Sequence, residues 1–153
     1  MGLELFINNP DNGKIFISAL LGMIIGLERE ISGKDPSLRT FCLICMGSCT
    51  FSVISAGMVA SQGVVDPGRI AAQIVVGIGF LGAGTIYRSR NGISGLTTAA
   101  LMWVTAAIGT AVGFGHIATA VSVTLISIAV MLLLGSLHRL IYFARRNGSE
   151  NHE

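Results

Sequence analysis

Six polar residues stand at positions where their types could do chemistry, in a chain of 153 residues that is 52% apolar and only 12% charged: Glu28, Glu30, Arg39, Asp66, Arg69 and Gln73. Carboxylates at the ends of apolar runs can hold a hard cation, carry a proton or pair with arginine. Glu28 and Glu30 project in different directions from a helix, so they cannot face one target. One reading pairs either glutamate with Arg39 of the next helix. The plainer one takes Glu28, Arg29 and Glu30 to interfacial water at a helix end. Further on, Asp66, Arg69 and Gln73 share an arc with Gly77, Phe80 and Gly84. That arc is either a polar vestibule leading to a tight helix contact, or a capped helix end among headgroups.

Other chemistries find less support. Asp66 and Glu28 fall on opposite membrane faces in the topology below, so they cannot share a magnesium ion; no metal or cofactor site is expected. Gly77-x-Gly79-x-x-Gly82 matches a dinucleotide fingerprint but lies inside an apolar helix with no preceding strand, which favours close helix packing. Cys42, Cys45 and Cys49 share a helix face in an apolar run and are read as small packing residues rather than a redox or metal pair. His116, His138 and His152 lie far apart along the chain, and no catalytic cluster forms around them, so no enzyme is expected. A net charge of +2 gives no support to nucleic acid binding.

The elements that must position these residues are apolar helices. About 20 apolar residues cross a hydrocarbon core, and five segments approach that length: 14–31, 39–60, 67–87, 96–112 and 117–141. The turn cluster from Asn8 to Gly13, then Ser61-Gln62-Gly63, Asn91-Gly92 and Gly113-Phe114-Gly115-His116 separate them, and Asp66-Pro67 reads as an N-cap followed by proline at the first helical position. Glu4 and Asp11 precede the first basic residue, Lys14, so the first segment is expected to be retained rather than cleaved as a signal peptide. Twenty glycines suit packed membrane helices. Gly22, Gly26, Gly77, Gly79, Gly82, Gly84 and Gly109 are the expected contact points. Ala19, Gly22 and Gly26 form a stripe that continues at Arg29 and Glu30. Thr98, Met102, Thr105, Gly109 and Gly113 form another, able to meet the third helix, although threonines in such helices commonly bond their own backbone. Trp103 points away from that face and is expected to be packed.

Arg29, Lys34, Arg39, Arg88, Arg90, Arg139, Arg145 and Arg146 fall on one side of the predicted bundle, and Lys14 and Arg69 on the other. Basic residues resist translocation, so the chain is read as an all-α membrane protein, a bundle of five transmembrane helices with the N-terminus outside and the C-terminus cytoplasmic. Residues 1–13 form an extracytoplasmic segment, 14–141 the membrane domain and 142–153 a cytoplasmic polar tail.

Taken in order, Gly26-Leu27-Glu28-Arg29-Glu30, Gly33-Lys34, Leu38-Arg39-Thr40 and Asp66-Pro67-Gly68-Arg69-Ile70-Ala71-Ala72-Gln73 begin a recognisable series. It continues through Gly77-Ile78-Gly79-Phe80-Leu81-Gly82-Ala83-Gly84, Gly95-Leu96-Thr97-Thr98-Ala99-Ala100, Trp103 and Ala106-Ala107-Ile108-Gly109. From residue 22 to 113 the chain resembles the MgtC/SapB family. The resemblance implies a multi-pass protein of the bacterial inner membrane, associated with growth under magnesium limitation and, in pathogens, with survival in phagocytes. It also implies contact with the membrane ATP synthase in some members. Many members carry a cytoplasmic domain after the last helix, where this chain has a short polar tail. The expectation is a regulatory or interaction protein in adaptation to magnesium limitation or acid stress, with the lipid bilayer, a second copy of itself and the ATP synthase as partners. The alternative is a small transporter or channel for an ion or small solute.

Overall fold

A computed structural model describes residues 9–62, 66, 68–89 and 92–149, apart from the side chains of 59–62 and 136–149. The expected roles of Pro67 and Asn91, the first eight residues and residues 150–153 lie outside the described set. Five helices follow one another: α1 (Pro10–Ile31), α2 (Leu38–Gln62), α3 (Gly68–Gly84), α4 (Leu96–Gly113) and α5 (Ile117–Ser149). Between α3 and α4 lie two short strands, β1 (Tyr87–Ser89) and β2 (Gly92–Ser94), paired antiparallel with Tyr87 opposite Ser94.

The helix ends show where local chemistry overrides the apolar pattern. α1 starts at Pro10 rather than near Lys14, because Asn9 caps it by accepting the Asp11 N–H at 3.0 Å and proline suits the first turn. Residues 9–13 of the expected turn cluster therefore cap and open the helix. α3 stops at Gly84 instead of continuing to Tyr87. Tight bonds from Thr85 N–H to the Gly82 carbonyl (3.0 Å) and from Ile86 N–H to the Ala83 carbonyl (3.1 Å) close it. The hairpin then takes up the backbone groups of Tyr87, Arg88 and Ser89. Gly95, at φ 91°, lies against the Thr85 carbonyl, where any side chain would collide. α5 runs on through residues 142–149, beyond the expected end at 141.

By length and composition α2, α4 and α5 are able to cross a membrane. α3, with 17 residues, is a shorter apolar helix, and α1 carries charge near both ends. α4 is the central helix. Its Thr98, Met102, Thr105, Gly109 and Gly113 are all buried, but this stripe meets α2 and the end of α1 rather than α3. A methyl built on Gly113 would lie 2.6 Å from the Cys49 carbonyl oxygen, and one on Gly109 would meet the Cys45 backbone. Residues four apart on one helix thus match residues four apart in the same direction on the other, so α2 and α4 run parallel. On the other side, Gly22 meets Phe41 and Cys45 while Gly26 meets Leu38, which makes α1 and α2 antiparallel. Small residues permit both crossings, because only backbones without intervening side chains come this close.

Ile25, Phe41, Cys45, Cys49 and Val112 fill the interior at zero exposure. Buried hydroxyls mostly bond their own helix: Thr105 donates to the Leu101 carbonyl at 2.8 Å, Thr124 to Ala120 at 2.9 Å and Ser52 to Ser48 at 2.8 Å. Trp103 corrects an expectation. It is 52% exposed and points out of the bundle, since its position on α4 lies off the stripe that contacts α1 and α2.

Candidate functional site

The polar chemistry gathers at one end of the bundle, where α1 ends and α4 begins. Gly22 and Gly26 bring α1 against α2, and one turn later the same face presents Arg29. Arg29 is therefore buried, at 2% exposure, and does not reach interfacial water. Its Nη2 donates to Thr98 Oγ1 at 2.9 Å, and the Thr98 hydroxyl in turn donates to the Asp35 carbonyl at 3.4 Å. This chain of two hydrogen bonds ties α1, the α1–α2 loop and the first turn of α4 together. Nε and Nη1 of Arg29 are buried without a partner among the described residues. A guanidinium offers five donors, so one bond leaves most of its capacity unused.

Arg29 and Thr98 line a cavity of about 910 Å³ with Lys34, Asp35, Tyr87 and Thr97. Its wall is drawn from α1, the α1–α2 loop, the end of α3 at Gly84, the hairpin and the start of α4. A second cavity, of about 610 Å³, lies between α2 and α3 and is apolar apart from Gln73 and Ser48. The two share no residue.

The six residues singled out by type are dispersed. Glu30 is exposed, and its Oε2 accepts the Leu38 N–H at 3.2 Å, so it caps α2 rather than pairing with Arg39. Glu28 Oε1 accepts the Ser32 hydroxyl at 2.8 Å, while its Oε2 is buried without a partner among the described residues. Arg39 is exposed, and neither glutamate forms the expected ion pair with it. Among the described residues the ion pair present is Lys14 with Asp11, at 2.9 Å across one turn of α1. Asp66 Oδ1 accepts the Gly68 N–H at 2.8 Å and thus caps α3; Arg69 and Gln73 follow on its exposed side. No group of three or more Asp, Glu, His or Cys gathers into a metal-binding arrangement among the described residues.

The glycines divide sharply. Gly22, Gly26 and Gly109 lie at contacts too close for a methyl group, and Gly82 lies near Ala99 at an ordinary 3.5 Å. Among the described residues, Gly77, Gly79 and Gly84 have no heavy atom of another element within 4 Å of a methyl built on them, so no described helix packs tightly against them. Arg29 and Thr98 are the residues that reading by type overlooked. The signal lay in the small-residue stripes: both stripes run into one of these two residues, and a residue that continues a contact stripe is drawn into the contact.

The sequence profile of the MgtC family matches residues 15–140, a stretch that holds Arg29, Thr98 and all six residues above. The chain belongs to the MgtC family. Its MgtC-family relatives include Protein MgtC of Brucella abortus, 44% identical over 85% of this chain and 54% of that protein. Protein SapB of Bacillus subtilis is 43% identical over 67% of this chain and 47% of its own length. A protein of Escherichia coli K12 described as "Putative magnesium transporter YhiD" is 47% identical over 67% of this chain and 50% of its own. The chain spans about half the length of these curated relatives. No solved structure matches it. Membership of this membrane-protein family agrees with the three helices able to cross a bilayer.

Proposed function

We propose that this MgtC-family chain is a regulatory or interaction protein of the bacterial inner membrane, acting in adaptation to magnesium limitation or acid stress by docking another membrane helix on α3. In this reading all five helices cross the membrane, with the N-terminus outside and the C-terminus cytoplasmic. The observation that carries it is the open face of α3. Gly77 and Gly84, on one side of the helix, have free space around them, beside Phe80 at 81% exposure. Gln73 and Gly77 line the adjoining apolar groove. A surface meant only for lipid gains nothing from glycines, whereas close approach of a second helix requires them. A polar Gln73 on the same groove offers that helix a hydrogen bond. The close-packed interior between α1, α2 and α4 supports docking over passage of a solute through the bundle. A second copy of the chain and the membrane ATP synthase are the partners to test first. Asp66, Arg69 and Gln73 form the polar end of the docking face, and Glu28, Glu30 and Arg39 the opposite rim.

Gly77→Leu provides the test, because there is room for the side chain in the isolated fold. Insertion and stability should match the parent, while complementation of growth at low magnesium, at matched expression, should be lost together with partner crosslinking from α3. Phe16→Leu, on the exposed face of α1, is the control. Full complementation by Gly77→Leu would remove the basis for docking on α3. The transporter description carried by the Escherichia coli relative supports a second reading, a small magnesium carrier. Magnesium uptake into proteoliposomes holding the purified chain alone would favour it.

A further inference from the structure

We propose that the cavity at the Arg29 end of the bundle is a binding site for a phosphate-type oxyanion, supplied either as a lipid headgroup or as a free phosphate. Two independent features converge there. The first is the buried guanidinium: Arg29, at 2% exposure, lines the cavity and has two nitrogen atoms, Nε and Nη1, without any acceptor among the described residues. A buried cation without a counter-charge is unfavourable, and Thr98, its hydrogen-bond partner, is neutral. Nε–H and Nη1–H lie on separate edges of the guanidinium, and either one, together with the second N–H of Nη2, matches two oxygens of a phosphate. The second is the start of α4. Gly95 provides no side-chain cap, and the helical ladder begins with the Ala99 N–H bonded to the Gly95 carbonyl at 2.9 Å. The N–H groups of the first turn, including those of Thr97 and Thr98 in the cavity wall, then lie at the positive end of the helix dipole.

Charge around the opening fits the same ligand. Lys34 lines the cavity and adds a second positive group. Asp35 lines it too and opposes an anion; both residues are exposed, so water screens them more than it screens Arg29. Glu28, with its own unpartnered oxygen, does not line the cavity. A volume of about 910 Å³ exceeds what a bare phosphate needs and leaves room for the glycerol or organic part of a phosphoester. Gly84 lines this cavity, but the α2–α3 groove that holds Gly77 and Gln73 shares no residue with it, so the outcome of Gly77→Leu leaves the oxyanion site standing, and the reverse also holds.

The test uses the full chain in nanodiscs. In phosphatidylcholine alone, inorganic phosphate is titrated and followed by phosphorus-31 line broadening. In a second arm, native mass spectrometry counts phosphatidylglycerol retained from mixed nanodiscs. Saturable broadening assigns a free phosphate, and retained phosphatidylglycerol without broadening assigns a headgroup. Arg29→Gln should weaken either by at least about tenfold, since charge-assisted bonds to the anion are lost. Because that variant removes a buried side chain, the exposed pair provides the decisive comparison. Lys34→Gln should weaken binding about threefold and Asp35→Asn strengthen it about threefold, with the fold unchanged. Absence of binding in both arms by the folded parent protein overturns the assignment. So does binding that neither Lys34→Gln nor Asp35→Asn alters. A loss of stability in Asp35→Asn without tighter binding would show Asp35 to be the partner of Arg29 and would overturn it equally.

Discussion

Replacing Gly22 with alanine tests the contact that fixes α1 on α2. The new methyl would lie 2.7 Å from both the Phe41 carbonyl oxygen and Cys45 Cβ, and 3.0 Å from Cys42 Cα, where ordinary contact begins at 3.4 Å. Two of these three atoms are backbone, so no side-chain rotation relieves the clash. Instead α1 must retreat by about 0.7 Å along a seam packed as tightly as an organic crystal. Overpacking of this kind costs about 1–3 kcal/mol, partly offset by alanine's advantage over glycine in a helix, which reaches ~1 kcal/mol. The net expectation is a loss of up to about 2 kcal/mol, or up to about a 30-fold shift toward the unfolded state, and of about 1–3 kcal/mol relative to a Gly77→Ala control. Gly77→Ala is the paired control. With no heavy atom within 4 Å, only the helix preference remains, and stability should be unchanged or ~1 kcal/mol higher. Reversible unfolding in mixed micelles, titrated with sodium dodecyl sulfate and followed by circular dichroism, measures both. Equal stability of Gly22→Ala and the Gly77→Ala control would refute the close crossing, and with it the burial of Arg29 one turn beyond Gly26.

Three further predictions address the site and the membrane. Thr98→Val removes the acceptor for Arg29 Nη2 and should destabilise the same unfolding transition by about 1–3 kcal/mol, whereas Thr98→Ser should retain most of the stability. Trp103, the single tryptophan, should be strongly quenched by brominated lipids, because it faces outward; protection from quenching would place it at a contact with another chain. Single cysteines replacing Asn12 and Phe114 in a cysteine-free background should react with impermeant reagents from outside, and those replacing Lys34 and Asn91 should not. Labelling of the Lys34 or Asn91 position in intact cells would reverse the orientation.

Helices were readable in the sequence because their signals are local. Runs of apolar residues marked α2 and α4 to within two residues, since a helix able to cross a bilayer must be apolar along its length. The order of short glycine-rich and charged stretches was enough to point to the MgtC family, which the profile match over residues 15–140 establishes. Burial of Cys45 and Cys49 followed from their sharing one face with Cys42 in such a run. Helix ends were less legible. The Asn9 cap on α1 and the hairpin after α3 depend on which backbone groups find partners, and an apolar window carries no record of that.

Pairing between elements was decided by the tertiary structure. From its sequence, α4 carries a stripe of small and hydroxyl residues, but which helix receives it depends on chain geometry: α2, running parallel, takes it, and α3 does not. Glu30 could bond to Arg39 or to the backbone of Leu38, and the antiparallel crossing at Gly26 puts the Leu38 N–H within its reach. Arg29 shows the difference most clearly. Residue type placed it in water beside two glutamates, whereas the contact stripe it continues draws it into the bundle against Thr98, 69 residues along the chain. A side chain's polarity is a property of the sequence; whether a neighbouring helix seals it from water is a property of the packing.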